Sequence, residues 1–267
     1  MSKRADVILF ESGLVQSRER AKALIMEGVV YFGENKVMKA SDAFPDDAIL
    51  TVREDPVPFV SRGGLKLDKA VRKYGIDLKG LVCVDVGAST GGFTDCMLQN
   101  GAKHVYAVDV GYGQLDWKLR NDPRVTSMER HNARNMEPGW FDDAPSFASC
   151  DVSFISIKLI LPRIFECLTD EGRAVVLVKP QFEAGRGKVG KNGVVRDEST
   201  HFEVLRDSAF FAASCGFSVI ALDYSPITGP KGNIEYLMYL GKDPSPGNID
   251  ITEASKNVVS LSHTELS

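Results

Sequence analysis

Residues Leu81 to Thr94, Leu-Val-Cys-Val-Asp-Val-Gly-Ala-Ser-Thr-Gly-Gly-Phe-Thr, constrain this chain more than any other stretch. The short apolar run from Val82 to Val86 reads as a buried parallel strand. Gly87, Gly91 and Gly92 end the run, and Phe93 opens a helix-like segment through Leu98. A strand, a glycine-rich turn and a helix start make a cradle for a nucleotide-type ligand. Glycine lets the backbone come close, and free N–H groups at the helix start point at the ligand. The glycines do not follow the G-x-G-x-x-G order of dinucleotide sites, and an acid, Asp85, sits on the strand just before the turn. Taken alone, the stretch also fits an ordinary strand-turn-helix of an α/β fold.

From Leu81 onward the pattern alternates. Strands are expected at Val82–Val86, His104–Val108, Val125–Met128, Phe147–Val152, Arg173–Lys179 and Phe217–Leu222. Helical segments at Phe93–Asn100, Ile157–Leu168 and Thr200–Ser214 lie between them, which predicts a doubly wound sheet. Near the end, Val219–Leu222 and Ile234–Leu240 are too close for an intervening helix. They must pair as an antiparallel hairpin around Pro226–Gly232. A mostly parallel sheet finished by an antiparallel strand is the methyltransferase variant of the Rossmann-like fold. Asp109, at the end of the second strand and 22 positions after Gly87, suits a ribose hydroxyl pair. Asn132, after the third strand, stands where such folds contact adenine.

Residues 1–53 form a small α+β unit ahead of this sheet. Ser17 is a good N-cap for a helix whose apolar face is Ala21, Leu24 and Ile25, and Gly28 ends it. Short strands follow at Val29–Phe32, Lys36–Val37 and Ile49–Val52. Two small helices and short strands carrying Arg18, Arg20 and Lys22, with Arg4 before them, resemble the S4-like RNA-binding domain. Charge balance does not decide the matter, because residues 1–52 hold 7 Lys/Arg against 8 Asp/Glu. Residues 54–60, with two prolines and no periodicity, read as a linker. Arg62 lies at the start of the 61–243 domain. The 244–267 tail, rich in Ser, Asn and Thr, reads as polar and loose.

Composition narrows the function classes. The longest apolar runs fall far short of the roughly 20 residues that span a bilayer, and no signal-type apolar core follows Met1. Five scattered cysteines form no C-x-x-C pair, which argues against a zinc site or a disulfide framework and for a reducing, cytoplasmic setting. The net charge of −4 confines any nucleic-acid site to local basic patches. Gly185–Lys191 matches G-x-x-x-x-G-K, but Asn192 stands where a phosphate loop needs Ser or Thr for Mg²⁺. A basic flap for nucleic acid, with Arg186, Lys188, Lys191 and Arg196, is the better reading.

Asp151 ends the fourth strand, Lys179 ends the fifth, Glu235 begins the last, and Lys66 lies in the helix leading into the sheet. Any one of them alone fits a solvated charge. Five blocks carry a more specific signal: Ser61-Arg-Gly-Gly-x-Lys-Leu, Asp85-Val-Gly-Ala-Ser-Thr-Gly-Gly-Phe-Thr, Asp151-Val-Ser-Phe-Ile-Ser, Val178-Lys-Pro-Gln-Phe-Glu and Lys231-Gly-Asn-x-Glu-Tyr. In this order they are similar to the TlyA family of rRNA 2′-O-methyltransferases, often labelled hemolysin A. In that family an S4-like domain precedes an FtsJ-like methyltransferase domain.

The resemblance implies a class I fold that binds S-adenosylmethionine (SAM), with Lys66, Asp151, Lys179 and Glu235 as a catalytic tetrad. It implies SAM contacts at Asp85, Gly87, Ala88, Ser89, Gly91, Gly92, Phe93, Asp109, Asn132 and Asp151. RNA contacts are expected at Arg4, Arg18, Arg20, Lys22, Arg62, Arg186, Lys188 and Lys191. Its substrates are cytidines in 23S and, in some members, 16S rRNA within ribosomal subunits, with no metal required. Three rival readings remain: an RNA-binding ribosome-assembly factor with little catalysis, a membrane-active haemolysin, and a methyltransferase acting on protein or a small molecule, which the N-terminal unit and the basic flap disfavour. The intact tetrad opposes the first, and the lack of an amphipathic or spanning stretch opposes the second.

Overall fold

The computed structural model describes residues 2–15, 17–53, 57–190, 192–243 and 249–266. Lys191, residues 54–56 of the expected linker and residues 244–248 of the expected tail lie outside the described residues, as does the side chain of Arg186. The chain divides into two compact units, Met1–Arg62 and Gly63–Ser267.

The first unit begins with strand β1 (Ser2–Arg4) and helix α1 (Ala5–Glu11), followed by α2 (Arg18–Glu27). Ser17 caps α2 by accepting the Arg20 N–H at 3.1 Å, and Gly28 closes the helix in the left-handed region at φ 73°. Strands β2 (Val30–Phe32), β3 (Asn35–Lys36), β4 (Ala43–Pro45) and β5 (Leu50–Val52) complete the unit. β2 sits between β3 and β5 in an antiparallel sheet, and β1 pairs with β4. Ile8, Leu9, Ala21, Leu24, Ile25, Val30 and Leu50 share one apolar core. The sequence pattern shows neither β1 nor β4, because three-residue strands with exposed ends carry no usable period. The first unit also runs past residue 53. Residues through Arg62 group with it, and the Val60 carbonyl accepts from Arg20 at 3.5 Å, so the described part of the expected linker is not free chain.

The second unit opens with α3 (Gly64–Tyr74) and then alternates: β6 (Val82–Val86), α4 (Gly92–Gln99), β7 (His104–Asp109), α5 (Trp117–Arg120), β8 (Val125–Glu129), β9 (Phe147–Cys150), α6 (Leu161–Cys167), β10 (Arg173–Val178), α7 (Pro180–Glu183) and α8 (Glu198–Ser214). β11 (Ser218–Tyr224), β12 (Tyr236–Gly241) and α9 (Ile251–Leu266) end the chain. Among the described residues the sheet order is β11-β12-β10-β9-β6-β7-β8. The five strands from β10 to β8 run parallel, and β12 is antiparallel to both β10 and β11. The expected hairpin therefore forms. Four of the parallel strands, β6, β7, β9 and β10, are buried along nearly their whole length, as continuous apolar runs require when helices cover both faces, while the edge strand β8 is mostly not.

The loose tail expected from residue 244 onward is corrected by α9. Ile251, Ser255, Val259 and Ser262 are buried at helical spacing, and Ile251 and Val259 join the main core. Two of these four inward positions are serines, so the stripe escapes a hydrophobicity reading. The start signal was present all the same: the Asp250 carboxylate accepts the Glu253 N–H at 2.9 Å, an N-cap contact three residues on. Val259→Asp would put an unpaired carboxylate into this seam. It is expected to lower the unfolding free energy by about 3 kcal/mol, read from the denaturant midpoint. An unchanged midpoint would mean that α9 is not docked in solution.

Candidate active site

The sheet order reverses between β6 and β9, and in such sheets ligands take the crevice at the strands' C-terminal ends. There the turn after β6 meets the segment after β9. Gly87 has φ 84°, and a Cβ on it would lie 2.7 Å from the Asp151 carbonyl oxygen, so only glycine fits. Gly91, at φ 96°, is crowded by Leu119 and Leu115. The turn differs from the expected row of free donors. Gly87 and Ala88 N–H groups donate to the Val108 carbonyl, Ser89 N–H to Asp109 Oδ2, and Gly91 N–H to the Ala88 carbonyl. The glycines thus supply close approach more than hydrogen bonds. Ala88, Gly92 and Phe93 are buried, and Ser89 is exposed at φ 48°.

Asp85 does not face the crevice. Its side chain is fully buried, accepting from Thr94 Oγ1 at 2.7 Å and Ser149 Oγ at 2.9 Å. The expectation of a direct ligand contact gives way to a brace: one carboxylate ties β6 to β9 and to the first turn of α4. Burial pushes this carboxyl up to about 6, against the pull of those donors. Asp109 is better placed, half-buried at the end of β7. It accepts Gly111 N–H at 2.6 Å and Ser89 N–H at 2.8 Å, and a carboxylate has further lone pairs to offer. Asn132 is exposed, and its Oδ1 caps the short turn that follows by accepting Arg134 N–H at 3.1 Å.

The four charged residues from separate elements converge. Lys66 Nζ on α3 lies 2.6 Å from Glu235 Oε2 and 3.4 Å from Asp151 Oδ2. Lys179, at the end of β10, pairs with Asp151 Oδ1 and donates to Ser153 Oγ at 3.1 Å. Glu235 also accepts from Gln181 Nε2 at 3.3 Å. Lys66, Lys179 and Glu235 are buried, while the Asp151 side chain keeps 19% exposure. Burial disfavours the Lys66 ammonium, but Asp151 and Glu235 outweigh it and hold this lysine above its ordinary value. Burial likewise works against the Asp151 carboxylate, and the two lysines overcome it, keeping the carboxyl below its ordinary range. Asp151 is therefore an anion held between two lysines, and Lys66 is a locked cation.

Several partners of this cluster carry no sequence signal of their own. The Asp151–Ser156 segment is fixed to α7 by Glu183, which accepts Ser156 Oγ at 2.6 Å and Ile157 N–H at 2.8 Å. Within it Phe154 is 90% exposed at φ 65°, its ring 5.2 Å from that of Phe182. A bulky residue held left-handed with its ring in solvent is a displayed surface. Of the expected basic residues, Lys22 is half-buried beside Glu19, Arg62 is half-buried, and Lys188 is engaged by Glu203. That pairing removes Lys188 from a freely presented flap. The flap's far end is pinned as well, because Val195 N–H donates to Asn233 Oδ1 and its carbonyl contacts His201 Nε2.

A family model described as FtsJ-like methyltransferase matches residues 59–242. The chain belongs to the FtsJ-like methyltransferase family. Relatives of this FtsJ-like chain agree along nearly its full length. It is 52% identical over 239 residues to a Bacillus subtilis protein provisionally named rRNA methyltransferase YqxC, covering 89% of this chain and 85% of that one. It is 42% identical over 238 residues to the Mycobacterium tuberculosis 16S/23S rRNA (cytidine-2′-O)-methyltransferase TlyA, covering 89% of each. A Streptococcus thermophilus protein solved under the provisional label of hemolysin matches with TM-score 0.79 and 49% identity, over 99% of this chain and 96% of that one. Among the described residues, no helix is long and apolar enough to cross a membrane.

The raised Asp85 carboxyl has a testable sign. An unfolded Asp loses its proton near pH 4, whereas the folded chain keeps it up to about pH 6. Between those values the folded state binds the extra proton, so this group's contribution to stability falls as pH rises, by about 3 kcal/mol over roughly two units. Asn does not titrate. The stability of Asp85→Asn relative to the parent is therefore expected to climb by about that amount from pH 4 to 6. A difference that is flat with pH would show that the carboxyl is not held protonated.

Proposed function

We propose that this protein transfers the methyl group of SAM to the ribose 2′-hydroxyl of a cytidine in 23S rRNA, 16S rRNA or both. The observation that carries this reading is the convergence of Lys66, Asp151, Lys179 and Glu235 beside the Gly87 turn. The activity for which the Mycobacterium tuberculosis relative is named points the same way.

The crevice fits SAM. A backbone that no Cβ can enter at Gly87 allows close approach, and half-exposed Asp109 suits a ribose diol. Gly87 to Gly92 and Asp109 would hold it, with Asn132 near the adenine. SAM, when bound, supplies an electrophilic methyl on a sulfonium whose positive charge disfavours a protonated amine beside it.

The chain's own residues then have separable tasks. A ribose hydroxyl is a weak acid, so it needs alignment and a proton acceptor. Lys66 is gripped by two carboxylates and stays charged, which suits it to orient a ribose oxygen with its remaining N–H. Lys179 has one carboxylate, and that one it shares with Lys66. In its neutral form, which the neighbouring sulfonium favours, Lys179 takes the 2′-hydroxyl proton, Asp151 orients it, and Glu235 keeps Lys66 in place. Phe154 offers an exposed ring on which a base can stack. The first unit, with Arg4, Arg18, Arg20 and Lys22, serves as the RNA-binding module, acting on the phosphate backbone.

Transfer of labelled methyl from SAM to unmodified 30S and 50S subunits tests this reading. Lys179→Ala is expected to lower kcat by about 10²–10⁴, the usual range for loss of a general base, with SAM affinity little changed. Near-parental transfer by Lys179→Ala, with none by Asp151→Ala, would overturn the assignment of the base. Absence of label in either subunit, from protein that binds SAM, would overturn the substrate.

A further inference from the structure

In the first unit, two of the basic residues are not independent side chains. Asp6, in the first turn of α1, is fully buried, and its two oxygens are both occupied by arginines. Arg4 Nε lies 2.9 Å from Oδ1 and its Nη2 3.3 Å from Oδ2, while Arg18 Nη2 lies 2.8 Å from Oδ2. Arg4 belongs to β1 and Arg18 to α2, so one carboxylate gathers guanidinium groups from two elements. Both arginines keep nearly half of their surface, 49% and 46%. Burial opposes the Asp6 carboxylate, yet the two arginines hold it below its ordinary range.

A carboxylate that pairs with two arginines usually reads as neutralisation, which would weaken binding to an anion. The geometry argues otherwise. A guanidinium has five N–H donors in a rigid fork. Arg4 spends Nε and one Nη2 donor on Asp6, and Arg18 spends one. Among the described residues most of their donors remain for another partner, now held in fixed directions. An unbraced surface arginine must be ordered when it binds, and the lost side-chain freedom opposes binding. Asp6 has already met that cost for both.

We propose that Asp6 is a positioning residue for RNA, which presents Arg4 and Arg18 as one preformed two-guanidinium seat for a backbone phosphate. This rests on the first unit being an RNA-binding module. The seat reads no base; it recognises a phosphate by planar, charge-assisted hydrogen bonds.

The two accounts predict opposite signs. If Asp6 merely subtracts charge, Asp6→Asn raises the net charge of the patch by one and RNA binds more tightly. If it positions, Asp6→Asn loosens both arginines and RNA binds about ten-fold more weakly. The measurement is a titration of the full chain with transcribed, unmodified 23S rRNA over a salt series, parent beside Asp6→Asn, Arg4→Ala and the double variant. The expected result is weaker binding by Asp6→Asn, a shallower salt slope, and an Arg4→Ala cost that shrinks in the Asp6→Asn background. Equal or tighter binding by Asp6→Asn, or strictly additive costs, overturns the proposal while leaving the RNA-binding reading intact. Failure of the parent to bind RNA overturns both. Should Asp6→Asn not fold, Arg18→Lys reads the same claim at unchanged charge. It keeps the cation and loses the fork, so parental affinity would contradict the proposal.

Discussion

The second unit depends on the sharing of Asp151. Its side chain lies between Lys66 from the helix that precedes the sheet and Lys179 from a central strand, and its backbone carbonyl occupies the space that a Cβ on Gly87 would need. One residue thereby couples the proposed methyl-donor cradle to the charged cluster. Such a cluster is poor value as a stabiliser, since buried ion pairs often do no better than well-packed apolar residues of like volume. Two lysines and two carboxylates brought together at a topological switch point make sense as chemistry. Their charges cancel in pairs, which lets them sit in a poorly hydrated place without large net cost.

Buried carboxylates organise the rest of the molecule in the same way. Asp85 joins β6, β9 and α4 through Ser149 and Thr94. Asp223 on β11 takes Lys69 at 3.2 Å and Lys73 at 2.9 Å, two residues of the helix that carries Lys66. Asp6 gathers Arg4 and Arg18 in the first unit. Each is 0–2% exposed; Asp85 and Asp6 accept from two other elements, and Asp223 ties its own strand to α3. A buried acceptor must be satisfied, and satisfying it from two elements fixes their relative position. In each case a buried acid fixes where its partner side chains lie.

Much of this was legible in the sequence. Long apolar strands and the Gly87–Gly92 turn announce themselves, because buried parallel strands and positive φ values leave strong residue preferences. The four clustered charges were legible only as a set, since each falls at a strand end or helix face where solvated charges are common. What stayed hidden was of three kinds. Two short strands, β1 and β4, are too brief to show a period. Helix α9 faces the core with Ser255 and Ser262, so polarity concealed its burial. Direction was the third: Asp85 lies on the strand that leads to the ligand turn yet points away, and Lys188 lies on a basic loop yet is held by Glu203. Spacing places a side chain near a site; the partners it finds decide what it faces.

The central claim is that the Lys66–Asp151–Lys179–Glu235 cluster acts on a ribose oxygen rather than on a base. Alkaline hydrolysis of RNA labelled with SAM's methyl group tests it most directly, because cleavage needs a free 2′-hydroxyl. The account predicts label recovered in an alkali-resistant dinucleotide whose 5′ residue is cytidine. Label released quantitatively in single nucleotides would place the methyl on a base and contradict it.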